Sequence, residues 1–410
     1  MRASLLLGLS CLASAGAQQQ RPIGAQVDSA RATTHHDDGP SYRSSLLSLH
    51  KTLVSIPSTS GTEQHVGDVL VDYLTSIGYT VERQYLPRPD STSPRRFNVL
   101  AWRQPKDQLS LTPEPGVLVT SHIDAVPPHI PYSISSTPPN ADTLISGRGS
   151  VDAKASVAAQ ITALEELRRQ GTISGDEATL LFVVGEETVG DGMRHFSSVA
   201  RARNRTFDAA IFGEPTEGKL ACGHKGHAAC TIRARGKAGH SGYPWLGKSA
   251  TEVLARALVR VLDADLGSSE RFGGTTVNVG TMEGGVAANV IAERASARIA
   301  LRVAAGDQET GWEVVRGRLE GVLRGVDEEL EMECTNGYGP VECYCDVEGF
   351  ETIVVNYGTD AANLEGDHVR YLYGPGSILV AHGDNEAITV RDLEAAVEGY
   401  KALVRHALKK

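Results

Sequence analysis

ATLLFVVGEETVG, residues 178–190, is apolar almost without interruption up to Val184 and then turns sharply polar. A run of that length, closed by Gly185, reads as a strand (178–184) buried on both faces, as in α/β sheets with helices on either side. Two adjacent carboxylates, Glu186 and Glu187, follow it, at the strand end where open α/β sheets collect ligands.

The pattern repeats on either side. A strand at 116–120 leads into SHIDAV (121–126), with His122 and Asp124, and a strand at 208–212 leads into IFGEPTE (211–217), with Glu214. Asp152 stands in GRGSVDAKAS (147–156), at the entrance of a helix predicted over 153–170. A further strand is expected at 97–102 and a closing helix at 389–408. Between 63 and 77 the apolar residues Val66, Val69, Leu70, Tyr73, Leu74 and Ile77 recur at three- and four-residue steps, one face of a helix ended by Gly78.

From 226 to 341 the rhythm changes to strand (228–234), helix (250–262), two strands (275–282 and 289–303), helix (312–326) and strand (330–334). That βαββαβ order is the ferredoxin-like unit. A chain of 410 residues exceeds what one core usually organises. The expected layout is therefore an α/β domain, residues 42–225 and 342–410, whose mixed sheet is covered by helices, with a ferredoxin-like lid, residues 226–341, inserted into it.

Positive Arg2, the apolar stretch 5–13 and the small residues Ser14 to Ala17 read as a secretory signal over 1–17, followed by a polar, disordered-looking segment at 18–41. No later apolar run is long enough to span a bilayer. A net charge of -10 repels phosphates and anionic lipid, so neither nucleic acid nor a membrane is an expected partner. A secreted location makes Asn204, in Asn204-Arg205-Thr206, a glycosylation acceptor. It also leaves five cysteines after Cys11 departs, an odd number. Cys334 with Cys343 or Cys345 are the nearest candidates for a disulfide, and the connectivity, which also involves Cys222 and Cys230, stays open.

Taken singly, HxD or GEPT reads as a turn and a Glu-Glu pair as surface charge. Together they crowd carboxylates at one sheet edge, where they would repel one another and take up protons unless a cation joined them. Histidine in the set favours zinc over calcium or magnesium, which prefer all-oxygen shells.

SHIDAV, GRGSVDAKAS, GEET, GEPT, AGHSGYP, NVIAE and GPGSILVAHGDNE stand in the order found in a known family. The chain resembles the M20 zinc metallopeptidases, the group of acetylornithine deacetylase, succinyl-diaminopimelate desuccinylase, aminoacylase and glutamate carboxypeptidase, over nearly everything from Tyr42 onward. The resemblance implies two zinc ions per subunit. Asp152 would bridge them, His122 and Glu214 completing one site and Glu187 and His382 the other. Asp124 would hold the His122 ring by a hydrogen bond, Glu186 would be the general base, and the lid residue His240 would donate to the oxyanion. Arg302, Asn289 and the amides of Gly374 and Gly376 would meet the substrate, and the lid would pair two subunits into a homodimer. Lys154, Thr359 and Asp360 carry no assigned role.

The expected activity is hydrolysis of a peptide or amide bond next to a free carboxylate, on small peptides or N-acyl amino acids. Two alternatives stay open, an N-acyl-amino-acid deacylase of the acetylornithine type and a catalytically inactive binding protein of the same fold.

Overall fold

The computed structural model describes residues 39–88, 90–103, 116–175 and 177–409. The expected signal peptide and all but the end of the polar segment after it lie outside these residues.

Four parallel strands form the middle of the main sheet, Ala178–Val183, Val117–His122, Ala209–Gly213 and Val369–Tyr373, neighbours in that order. Phe97–Trp102 and Thr80–Tyr85 extend it antiparallel on one side, and Leu220–His224 with Val341–Glu342 on the other. Thr352–Val355 pairs parallel to Leu220–His224, so the sheet is mixed and nine-stranded among the described residues.

Side chains alternate between two buried faces, which is why these strands read as continuous apolar runs. Ala178, Leu180 and Phe182 join one core with helices Arg43–Ser55, Gln64–Ser76, Lys154–Arg169 and Val390–Ala407. Leu181 and Val183 join the other with Met193 and Phe196 of helix Asp191–Ala202. Helix Lys154–Arg169 is buried nearly all round, because Ala155, Ser156, Ala158, Ala159 and Ala163 are small enough to sit between the sheet and helix Val390–Ala407. Buried Lys154 donates to the carbonyls of Leu53 and Ile56 at 2.9 Å each, supplying partners at the end of helix Arg43–Ser55. Asp152 is thereby anchored two residues ahead of a fixed helix.

The lid is a four-stranded antiparallel sheet in the order Thr276–Gly284, Arg294–Val303, Gly226–Arg235, Glu331–Cys334, as the ferredoxin-like unit requires. Helices Ala250–Asp263 and Gly311–Arg324 cover one face around Ile232, Leu254, Leu301, Trp312 and Leu319. Ser249 caps the first of them by accepting from the Glu252 amide at 3.3 Å.

Two expectations are corrected. The strand expected over 289–303 begins only at Arg294, because its partners end there: Ala295 faces Gly284 and Arg294 faces Arg235. Cysteines near in sequence do not pair. The disulfides are Cys222–Cys345 and Cys230–Cys334, and Cys343 is buried and free. Cys334 lies in the lid sheet, opposite Cys230, whereas Cys343 follows a strand of the main sheet. Cys222–Cys345 ties the strand that precedes the lid to the segment that follows it.

His50 and His224 are fully buried, and burial pushes each down to about 4. One ring nitrogen of each meets a backbone carbonyl, of Ser150 at 3.0 Å and of Lys225 at 2.9 Å, and the other is unpartnered among the described residues. A depressed pKa means that the unfolded chain binds the proton more readily. Their contribution is complete above about pH 6.5 and is lost as pH falls toward about 4, by up to ~3 kcal/mol for each. Urea midpoints measured across that window should fall with pH, and His50→Gln should remove one histidine's share of the slope.

Candidate metal centre

The carboxyl ends of the four parallel strands deliver the chemistry. His122 closes its strand and is followed by Asp124; Glu186 and Glu187 follow Val183 after two residues; Glu214 follows Gly213 directly; His382 lies in the loop after Tyr373. Adjacent parallel strands with loops at the same edge bring these residues together.

Two groups of ligand-type atoms result, His122, Asp152 and Glu214 in one, Asp152, Glu187 and His382 in the other, each with its atoms within 4.8 Å of one another. Asp152 is common to both. Its Oδ1 lies 3.0 Å from His122 Nε2 and its Oδ2 3.3 Å from His382 Nε2. His382 Nε2 is 3.0 Å from Glu187 Oε2, and His122 Nε2 is 3.9 Å from Glu214 Oε1.

His122 Nδ1 lies 3.0 Å from the backbone carbonyl of Asp124, the contact of a donor, and Nε2 then turns its lone pair toward the carboxylates. The Asp124 carboxylate stands 3.6 Å from Nδ1 and has other work. It accepts from Ser60 Oγ at 2.6 Å and from the amides of Glu186 and Glu187 at 3.2 Å each. The expected hold on the His122 ring is thus made mainly by the carbonyl of Asp124, while its side chain fixes the turn that carries the two glutamates.

The electrostatics call for a cation. Burial pushes the carboxyls of Glu186, Glu187 and Glu214 up, and neighbouring carboxylates add to it, Glu214 at Glu186 and Asp152 at the other two. Burial alone would raise Asp152 as well, but hydrogen bonds from His122 and His382 outweigh it and hold this carboxyl low. Glu187 Oε1 is buried without a hydrogen-bond partner among the described residues. Imidazole and carboxylate donors in two groups sharing one aspartate fit divalent transition-metal ions.

Two residues that the sequence did not single out hold this arrangement. Arg148 and Glu386 form a buried ion pair at 2.8 Å. Arg148 also donates to the carbonyls of His382 and Gly383 at 3.3 and 3.1 Å, and Glu386 accepts from the amides of Val151 and Asp152 at 3.0 and 3.2 Å. His382 has φ 64°, a left-handed conformation that costs a histidine about 1–2 kcal/mol, and Arg148 clamps it there. Both residues lie inside the quoted stretches 147–156 and 374–386, which was the available signal. Glu386→Ala leaves the Arg148 charge buried and unpaired, and a loss of about 3–5 kcal/mol in unfolding free energy is expected from denaturant titration.

Above the metal groups lies a cavity of about 280 Å³. Asp152, Glu186, Glu187, Glu214 and His382 line it from the sheet edge, and Arg302, His227 and Tyr338 from the lid. Arg302 faces His227 across the lid sheet, with Nη1 3.4 Å from His227 Nδ1. His240 and Asn289 are not among the lining residues. They sit exposed on two lid loops that pair with each other, His240 bridging Val290 and the Ser241 amide donating to the Asn289 carbonyl at 3.1 Å. Gly374 and Gly376 do not line it either. The Gly374 amide donates to Thr216 Oγ1 at 3.0 Å, and a Cβ at Gly374 would collide with the Glu214 carbonyl and Ser156 Oγ, so close packing accounts for this glycine. Asn204 is exposed just beyond helix Asp191–Ala202.

Paired His–carboxylate groups at the strand ends of an α/β sheet, beneath a ferredoxin-like lid, define a metal-dependent hydrolase. The family model described as the peptidase dimerisation domain of M20 matches residues 222–324, most of the lid and its entrance. A peptidase M20 domain-containing protein of Sordaria macrospora is 57% identical over 404 residues, covering 93% of this chain and 88% of that protein. A probable carboxypeptidase of Arthroderma otae is 42% identical over 455 residues, covering 100% and 98%. The chain belongs to the M20 family of metallopeptidases. Among solved structures, a tripeptidase from Staphylococcus aureus matches with TM-score 0.70 at 20% identity, covering 90% of this chain and 99% of that one. An M20 family metallo-carboxypeptidase from Sulfolobus solfataricus matches with TM-score 0.65 at 15% identity, covering 89% and 99%. These two likenesses are of fold.

Proposed function

We propose that the protein is a secreted carboxypeptidase that holds two zinc ions and cleaves the peptide bond next to a substrate's free carboxylate. The observation that carries this reading is Arg302, which lines the same cavity as Asp152, Glu187, Glu214 and His382, members of both metal groups. A guanidinium fork matches a carboxylate, and across a cavity of this size it would hold the terminal residue with the scissile carbonyl toward the metal groups.

His122, Asp152 and Glu214 would hold one zinc and Asp152, Glu187 and His382 the other. Zinc bound there would lower the pKa of water and polarise a carbonyl. Glu186 belongs to neither group and is the base, taking a proton from the attacking water and returning it to the leaving amine. Its backbone amide donates to Asp124, which fixes the turn that carries it at the edge of the two groups. His240, exposed and away from the cavity of its own chain, suits a donor that reaches the site of a second subunit, and the match of the lid to a dimerisation domain supports a homodimer. The two disulfides and the exposed Asn204 support an oxidising, extracellular location with a glycan at Asn204.

A substrate panel tests the activity. Dipeptides with a free C-terminus should be hydrolysed, their C-terminal amides should not, and N-acetyl amino acids should be poorer. Better turnover of the acetyl compounds would make the enzyme a deacylase, and equal turnover of acids and amides would remove the carboxylate requirement. Metal analysis of the purified protein should find two zinc ions per chain.

A further inference from the structure

The cavity contains a second arginine that the proposed reaction does not use. Arg194, on helix Asp191–Ala202, lines it from the catalytic domain, whereas Arg302 comes from the lid. Among the described residues neither forms an ion pair, although Arg201 on the same helix pairs with Glu365 at 2.5 Å. In a chain of net charge -10, acidic partners are plentiful.

Arg194 is oriented by a relay that starts on a buried group. The Asp360 carboxyl, 4% exposed, accepts from Asn363 Nδ2 at 2.8 Å, and Asn363 Oδ1 accepts from Arg194 Nε at 2.9 Å. Gly190, with φ 64°, leaves room for it, since a Cβ there would collide with Asn363 Nδ2 and lie 2.9 Å from Asp360 Oδ1. Holding a guanidinium by Nε leaves its two terminal nitrogens, the pair that binds a carboxylate in fork geometry. At about 280 Å³ the cavity is smaller than the ~300–1,000 Å³ typical of drug-sized ligands and suits one amino-acid residue.

We propose that Arg194 binds a second carboxylate of the substrate, so that the enzyme preferentially releases a C-terminal residue with an acidic side chain. This rests on the carboxypeptidase reading, in which Arg302 takes the α-carboxylate. Arg194 is then the specificity-determining residue, and Asn363 and Asp360 are positioning residues that act through it.

Matched N-blocked dipeptides ending in Glu or Gln, of the same shape and differing in one charge, test it on the zinc-loaded full chain. The wild type should favour Glu over Gln in kcat/KM by about 10- to 100-fold, the range of a charge-assisted hydrogen bond. Raising ionic strength should shrink the ratio. Arg194→Gln should bring it close to one, Arg194→Lys should restore part of it, and Asn363→Ala should give an intermediate ratio. Arg201→Gln, whose ion pair lies outside the cavity, is the control and should keep the wild-type ratio. A wild-type ratio near one, or a ratio unchanged in Arg194→Gln, overturns the proposal. If free acids are hydrolysed and amides are not while Glu and Gln are equal, this inference alone fails. If amides are cleaved as well as acids, the carboxypeptidase reading fails first.

Discussion

Glu186→Gln is expected to lower kcat by about 10²–10⁴-fold, the usual contribution of a general base, while leaving metal content unchanged. Gln keeps the shape and the backbone amide that donates to Asp124, and Glu186 belongs to neither metal group. What is lost is the ability to accept a proton. Burial pushes the Glu186 carboxyl up, and the nearby Glu214 carboxylate pushes it further. Cations held by the neighbouring groups would pull it back down, and a base works best with its pKa near the working pH. KM should therefore change little and kcat should carry the loss. Elemental analysis showing two metals per chain, together with a kcat within tenfold of wild type, would remove Glu186 from the reaction.

How much of this was legible in the sequence follows from the range of each interaction. Strands such as Phe97–Trp102 and Ala178–Val183 announce themselves through unbroken apolar runs, because burial on both faces imposes that pattern locally. The placement of His122, Glu187 and Glu214 at one edge followed from the parallel order, and the lid from its βαββαβ rhythm. Helix Arg43–Ser55 and helix Asp191–Ala202 went unread. The first begins with Tyr42, which makes no side-chain cap, and the second begins on a left-handed Gly190. The disulfide partners were illegible because 123 and 104 residues separate them. The Arg148–Glu386 pair spans 238 residues and depends on how the loop after Tyr373 folds back over Asp152. His240 shows the reverse case, a motif that is plain in the sequence but stands outside the cavity of its own chain.

Asp152→Ala should abolish activity and metal binding at both groups, a larger effect than removing any other member of the two groups. Asp152 alone belongs to both groups, with one oxygen toward His122 and the other toward His382. Removing Glu187 or His382 takes away one group's own member and leaves His122, Asp152 and Glu214 together. Removing Asp152 reduces each group to two residues. The expected result is less than one metal per chain in Asp152→Ala, against about one retained in His382→Ala. Thermal melts separate binding from folding: an ion that binds only the native state at 100 times its Kd adds about 2.7 kcal/mol. Added zinc should thus raise the Tm of the wild type clearly, that of His382→Ala less, and that of Asp152→Ala hardly at all. Asp152→Asn, which keeps the shape and one acceptor oxygen, guards against mere misfolding and should also lose metal, since a neutral amide cannot offset the charge of two cations. Equal zinc stabilisation of wild type and Asp152→Asn would mean that the two groups do not share this residue as a ligand.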